Sequence, residues 1–469
     1  MSSPTDRRII LIITCMSAFI TPFLASSVNV AIPTINTDFA VTDQAMLQWV
    51  VLGFLLTAAI FVVPLGRIAD IIGRKTIFVI GLTVVVLSSM LCAISGSIDM
   101  LIASRAIEGL GSAMIFSTAI AILTAAFPAK ERGKVLGINV AITYVGLSLG
   151  PFLGGIITQN IGWRFIYAGI MVYALAVALL AFFKIKDNER CAVNGKFDIG
   201  GTGLYGTVLF SLILGLSLVP TVWGLLLIAA SFVLMAFLFR WELKHENPIL
   251  KVSVFRKNTV FMFSNLAAMI NYSATAAIAF LLAWYLQFIQ GYPPQEAGLI
   301  LIAQPIVMAV FSPFTGRLSD KMEPRIVASA GMGLCIIGLA LFALLTPTTP
   351  LVLIIASLMF MGLGFALFSS PNTNAIMSSV DRCDYGVASG MVSTMRLIGQ
   401  MLSNGIALVV FSVIMGHTEV SAGQPGLMKS IQVAFAIFAV LCVVGLGFSL
   451  ARGNLRKKTI PVAVNVVAK

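Results

Sequence analysis

Gly66-Arg67-Ile68-Ala69-Asp70-Ile71-Ile72-Gly73-Arg74-Lys75 is the stretch that decides how this chain folds. It follows an apolar run from Met46 to Leu65, so its charges stand where a hydrophobic helix would leave a bilayer. Gly316-Arg317-Leu318-Ser319-Asp320-Lys321 repeats its core after the apolar run from Leu299 to Thr315. The shared pattern is Gly-Arg-x-x-Asp at an offset of 250 residues. A second landmark keeps nearly the same spacing: Gly133, Gly137 and Gly146 match Gly386, Gly390 and Gly399 at an offset of 253. Two matched landmarks predict an internal repeat. In membranes, repeated halves are a common way to build alternating access.

Composition sets the class. The 469 residues are 59% hydrophobic and 10% charged, with a mean hydropathy of +1.02. A soluble domain carries about 25% charge. The chain reads as an all-α polytopic membrane protein. Fourteen segments approach the roughly 20 residues that cross a bilayer. They lie near 9–32, 46–66, 76–96, 99–124, 134–158, 163–184, 199–219, 221–241, 259–289, 297–316, 326–346, 350–374, 385–415 and 428–451. The first follows Arg7 and Arg8 like a signal peptide, but it lacks a small-x-small cleavage site and is read as a retained helix. The repeat then divides the chain into two pseudo-symmetric six-helix bundles, 1–184 and 259–451. Cytoplasmic linkers and an inserted helix pair occupy 185–258, and a basic tail occupies 452–469.

The net charge is +12. If the N-terminus is cytoplasmic, 26 of the 30 basic residues face the cytoplasm. Arg164 and Lys429 fall outside, and Arg105 and Arg396 fall within spans. The positive-inside rule then places both termini in the cytoplasm and requires an even number of spans. The same sorting speaks against nucleic-acid binding and for contact with anionic lipid headgroups. Six cysteines are scattered without a CxxC pair, and His245 and His417 are the two histidines. Neither a disulfide, a metal site, a cofactor nor an enzyme is expected.

Four groups of residues carry the candidate chemistry. In the Gly-Arg-x-x-Asp repeat (Gly66, Arg67, Asp70; Gly316, Arg317, Asp320), glycine permits close helix approach and aspartate can accept from a neighbouring helix N-terminus. Gly73, Arg74 and Lys75 complete the first copy. Such a contact could latch one conformation; the bland alternative is a turn whose charges only set topology. Arg105 and Glu108 share a helix face in span 4. A carboxylate inside a bilayer is expected to face a cavity and to pair, so Glu108 is the proton-coupling candidate with Arg105 as partner. A permanent structural ion pair is the alternative. Asp99 opens the span, which puts Glu108 about 13 Å from its outer end. In span 5, Gly146, Gly150 and Gly154 form a stripe, with Pro151 as a bend point and Gly155 beside it; this suits the contact between two rocking halves or plain packing. Arg396, Gln400 and Asn404 give span 13 a polar face. Asn271, Tyr272, Gln304 and Asn372 are further cavity candidates, with interhelical hydrogen bonding as the alternative for each. The 32 phenylalanines and 21 methionines suit an apolar site but chiefly suit lipid.

The chain resembles the major facilitator superfamily. Segments 66–75, 101–113 and 146–155 look like its motifs A, B and C. Fourteen spans point to its drug/proton antiporter branch, the multidrug-efflux type. Ser27-Val28-Asn29-Val30-Ala31-Ile32-Pro33, Trp163-Arg164, Phe197-Asp198-Ile199-Gly200, Pro248 to Phe255 with Arg256, and Pro294 to Pro305 resemble that branch too. The first of these adds Asn29 to the cavity candidates. Two departures stand out. Many members carry an acid in helix 1 where this chain has Leu24, and motif B commonly has glutamine where this chain has Glu108.

The resemblance implies a monomeric secondary transporter in the plasma (inner) membrane of a prokaryote. It would export lipophilic drugs or other small organic compounds against protons, without a cofactor. Export of a specific metabolite (an amino acid, sugar or siderophore) is the second reading, and a non-transporting sensor or scaffold the third. The latches are unequal, because the second copy runs into Met322-Glu323-Pro324-Arg325. Asp70 is therefore expected to matter more than Asp320.

Overall fold

The computed structural model of the chain describes residues 4–40, 44–185, 197–219, 221–245, 258–415 and 426–455. The connector Pro248 to Arg256, Cys191 and the loop with His417 lie outside them. Among the described residues, fourteen helices are long and apolar enough to span a membrane. The first eight are α1 (Pro4–Phe39), α2 (Gln44–Ile72), α3 (Arg74–Ala93), α4 (Ile98–Ala126), α5 (Arg132–Asn160), α6 (Arg164–Lys184), α7 (Ile199–Ser217) and α8 (Val222–Lys244). Then come α9 (Thr259–Ile289) and α10 (Gln295–Lys321). The last four are α11 (Pro324–Ala343), α12 (Leu351–Ser378), α13 (Tyr385–Met415) and α14 (Leu427–Ala451). No strand occurs among the described residues. In hydrocarbon, a backbone must satisfy its hydrogen bonds internally, which the helix does.

Local chemistry sets several ends. Ser97, Asp198, Thr221 and Asn258 each cap the helix that follows, accepting the N–H three residues on. Gly73 separates α2 from α3 at φ +123°, a conformation open to glycine at no steric cost. α9 is interrupted after Thr275 and ends in a π-helical turn at Tyr285–Ile289. One boundary differs from expectation. Gly66 to Asp70 is not a turn: α2 stays helical to Ile72, and α10 likewise carries Gly316 to Asp320 inside it. The apolar pattern stops before the helix does, because the last two turns are held by the other half of the protein rather than by lipid.

Helices α1 to α6 pack around one apolar core that includes Ile20, Leu24, Phe78, Leu82, Trp163 and Tyr167. Helices α9 to α14 pack around another with Leu281, Tyr285, Phe342, Met361, Phe435 and Phe438. The two halves meet through two equivalent pairings, α2 with α13 and α5 with α10. α7 lies against α2 and α13, where Tyr205 and Thr394 share a 3.1 Å hydroxyl contact. α8 packs on α7, and its outer face is bare apolar surface, with Trp223 73% exposed. Phe183 (69%) and Val413 (77%) continue that surface on other helices. Such a skirt of exposed large apolar side chains is what a lipid-facing wall presents.

Candidate functional site

The Gly-Arg-x-x-Asp repeats hold the two halves together at the end of the molecule where the chain begins. Asp70 is fully buried and pairs with Arg74 at 2.8 Å. It also accepts the backbone N–H groups of Gly386 (3.2 Å) and Val387 (3.3 Å), at the start of α13 in the opposite half. Arg74 donates in turn to the Arg382 carbonyl and lies 5.5 Å from the Tyr385 ring. Asp320 mirrors this arrangement. It accepts from Gly133 (2.7 Å) and Lys134 (2.8 Å), in the first turn of α5. A carboxylate on the free N–H groups of a helix N-terminus gains from both hydrogen bonding and the helix dipole.

Bare backbone makes these contacts possible. A Cβ on Gly66 would stand 2.5 Å from the Gly386 carbonyl oxygen, and one on Gly316 would strike Gly133. The two landmarks that betray the repeat are thus each other's partners: 66 meets 386, and 316 meets 133. Arg67 is buried and Arg317 exposed, and Lys75 reaches the Phe182 ring at 5.8 Å.

Arg105 and Glu108 are both fully buried and form an ion pair. Arg105 also donates from Nε to the Val50 carbonyl (3.1 Å) and stacks on Phe54 at 4.3 Å. Glu108 accepts from the Ser89 hydroxyl at 2.7 Å. The pair therefore lies among α2, α3 and α4, inside the first bundle. The stripe of span 5 also belongs to that bundle. Gly146, Gly150 and Gly154 face Phe19, Phe23, Ser26 and Ser27 of α1. This corrects the expectation that the stripe joins the rocking halves. The bare positions of α5 that meet the other half are Gly133 and Gly137, which oppose Gly316 and Ser312 of α10. Gly155 has room around it, with Val30 3.7 Å away, and Pro151 is exposed.

Between the halves lies a cavity of about 60 Å³ lined by α1, α4, α5, α9, α12 and α13. Tyr272 and Arg396 line it. Arg396 stacks on Phe116 at 4.8 Å, and Tyr272 meets Phe365 edge-on at 5.4 Å. The other cavity candidates do not line it. Asn372 donates to the Ser264 carbonyl and accepts from Arg452, so it is interhelical glue. Asn271 is buried against the thiols of Cys335 and Cys442. Asn29 is exposed and bonds its own helix at Ala25. Gln304 and Gln400 are half-buried away from the cavity lining. Leu24 is packed in the first bundle's core.

Sequence reasoning missed Phe116, Tyr144, Asn139 and Ser369 of this lining. It also counted Arg452 in the basic cytoplasmic tail. That side chain is buried, donating to Asn372 (2.8 Å), Ser264 (3.2 Å) and the Pro324 carbonyl (2.7 Å). Burial lowers its pKa to about 10, which leaves it charged at neutral pH.

A multi-pass helical protein whose equivalent halves clasp each other around a central cavity has the architecture of an alternating-access membrane transporter. The chain belongs to the Major Facilitator Superfamily, whose sequence pattern matches residues 14–254 and 264–463. It is 29% identical over 446 residues to the riboflavin transporter RibZ of Clostridioides difficile, covering 94% of this chain and 96% of that one. It is 30% identical over 428 residues to the multidrug resistance protein Stp of Mycobacterium tuberculosis, covering 88% and 79%. The cephamycin export protein CmcT of Amycolatopsis lactamdurans is 29% identical over 420 residues, covering 85% and 84%. Among solved structures, the proton:xylose symporter XylE superposes with a TM-score of 0.66 at 14% identity, covering 95% and 96% of the two chains. That likeness speaks to fold alone.

Proposed function

We propose that this transporter is a proton-coupled exporter of lipophilic drugs or other small organic compounds, working by alternating access. It would act as a monomer in the plasma membrane of a prokaryote, surrounded by lipid, with both termini in the cytoplasm. The sorting of basic residues supports that orientation. The observation that carries the mechanism is the pair of latches. Each of Asp70 and Asp320 holds two backbone N–H groups of the opposite half, so both must release before that end can open. A cavity of about 60 Å³ is far below the roughly 300–1,000 Å³ of a drug-sized pocket. Substrate entry therefore requires the halves to part. The names of Stp and CmcT favour efflux. RibZ favours the second reading, movement of one specific metabolite by the same scaffold.

Glu108 is the proton site in this reading, with Arg105 as its partner. It is the one carboxylate among the described residues that lies deep within a span. The experiment is transport into inside-out vesicles under an imposed pH gradient, with dyes, biocides and metabolites as cargo. Accumulation that collapses with a protonophore supports the reading. Accumulation indifferent to the gradient removes proton coupling from it.

A further inference from the structure

Arg396 is half-buried and differs from most of the buried cations of this protein. Arg74 holds Asp70, Arg105 holds Glu108, and Arg452 holds the Asn372 oxygen. Arg396, like Arg67 at the latched end, has no hydrogen bond or ion pair with any described residue. Its guanidinium rests on the Phe116 ring and borders the cavity between the halves. Among the described residues, no aspartate or glutamate lines that cavity. Aromatic walls from Phe116, Tyr144 and Tyr272 surround it instead. The position in α1 where an acid would lend negative charge is Leu24, and it points into the bundle core.

We propose that the central cavity takes organic anions, specifically flat or aromatic compounds that carry a carboxylate, with Arg396 receiving that group. The inference rests on the exporter reading and names its substrate class. The physics runs in one direction. A guanidinium held at membrane depth without a counter-charge is costly, and a ligand carboxylate offsets that cost. Arginine presents a planar fork of donors that matches a carboxylate with two parallel hydrogen bonds. The aromatic walls take the body of the ligand. A cationic drug meets the opposite situation: it would bring a second positive charge into a small space whose described lining holds no carboxylate.

The competing role for Arg396 is a cation–π tie between α13 and α4, which would need no ligand. Two xanthene dyes of similar shape separate the roles: fluorescein, an anion, and rhodamine 123, a cation. Binding is measured by fluorescence anisotropy on the purified full-length protein in detergent, with no gradient present. The wild type is expected to bind fluorescein at least about tenfold more tightly than rhodamine 123. Arg396→Gln should abolish that preference without weakening rhodamine 123, and Arg396→Lys should keep part of it. Each variant is first shown to elute as the wild type does on size exclusion. The proposal is overturned if the wild type binds neither dye, if it prefers rhodamine 123, or if Arg396→Gln weakens both dyes equally. Because binding is read at equilibrium, these outcomes are independent of proton coupling. A protein that binds fluorescein but fails to accumulate it in vesicles counts against the exporter reading alone.

Discussion

Single residues in this protein act through what surrounds them, and Glu108 shows it most sharply. It carries the charge that the motif usually lacks, yet it stands inside the first bundle with Arg105, Ser89 and Phe54 rather than in the cavity. Two roles remain for it, a proton site and a structural pair. The single change Glu108→Gln would leave Arg105 buried without its counter-charge, and breaking one side of a buried pair costs about 3–5 kcal/mol. Loss of function would then be ambiguous. Replacing both partners with apolar side chains of similar size is often neutral. The double variant Arg105→Met, Glu108→Leu is therefore expected to keep its melting temperature within a few degrees and to keep substrate exchange without a gradient. It should lose pH-driven accumulation. Full pH-driven transport by the double variant would sink Glu108 as the coupling site. Sequence exposed this pair because charges are rare within spans. It could not show which way the pair faces, since α4 is apolar on nearly every side.

At the scale of elements, the two latches are equal in design and unequal in surroundings. Asp70 is sealed from water and also neutralises Arg74, which reaches on to Arg382. Asp320 makes the shorter bonds, 2.7 and 2.8 Å, but stands half-exposed. Water can take over the lost bonds at Asp320 and cannot at Asp70. A charge-assisted hydrogen bond contributes about 1.5–3 kcal/mol, so Asp70→Asn is expected to lower the transport rate about tenfold or more. Asp320→Asn should lower it by clearly less, measured on vesicles with matched amounts of protein. A larger loss from Asp320→Asn reverses the ranking. The repeat made these contacts legible in the sequence, because Gly-Arg-x-x-Asp recurs at a fixed offset. Their partners were half-legible: Gly133 and Gly386 marked the repeat without revealing that their backbone N–H groups donate to the aspartates. The glycine stripe of α5 misled for a related reason. Spacing shows that a helix face is bare, and it does not show which neighbour fills that face. In this chain α1 fills it, through Phe19, Phe23, Ser26 and Ser27.

At the scale of the whole molecule, sequence was most informative where lipid imposes the rule. Span number and the division into halves follow from hydropathy, charge and repetition, because the bilayer demands long apolar helices. The cavity was less legible. Phe116, Tyr144 and Ser369 resemble any other aromatic or hydroxyl residue in an apolar helix, and only assembly brings them together. Arg396 was visible because a lone charge within a span is conspicuous. Its unpaired state also changes the expected energetics of the whole cycle. Exchange of one proton for a monovalent cation would move no net charge and would draw on the pH gradient alone, about 1.4 kcal/mol per unit. Exchange of one inward proton for one outward monoanion moves two positive charges inward. Each charge crossing 100 mV contributes about 2.3 kcal/mol, so the potential alone would supply about 4.6 kcal/mol. Inside-out vesicles with equal pH on both sides and an interior-positive potassium diffusion potential, set with valinomycin, are therefore expected to accumulate fluorescein. An outward flow of protons should accompany it, reported by a pH dye. Accumulation that ignores the potential and follows only the pH gradient would show that the exchange is electrically silent. Arg396 would then be excluded as the receiver of a transported negative charge.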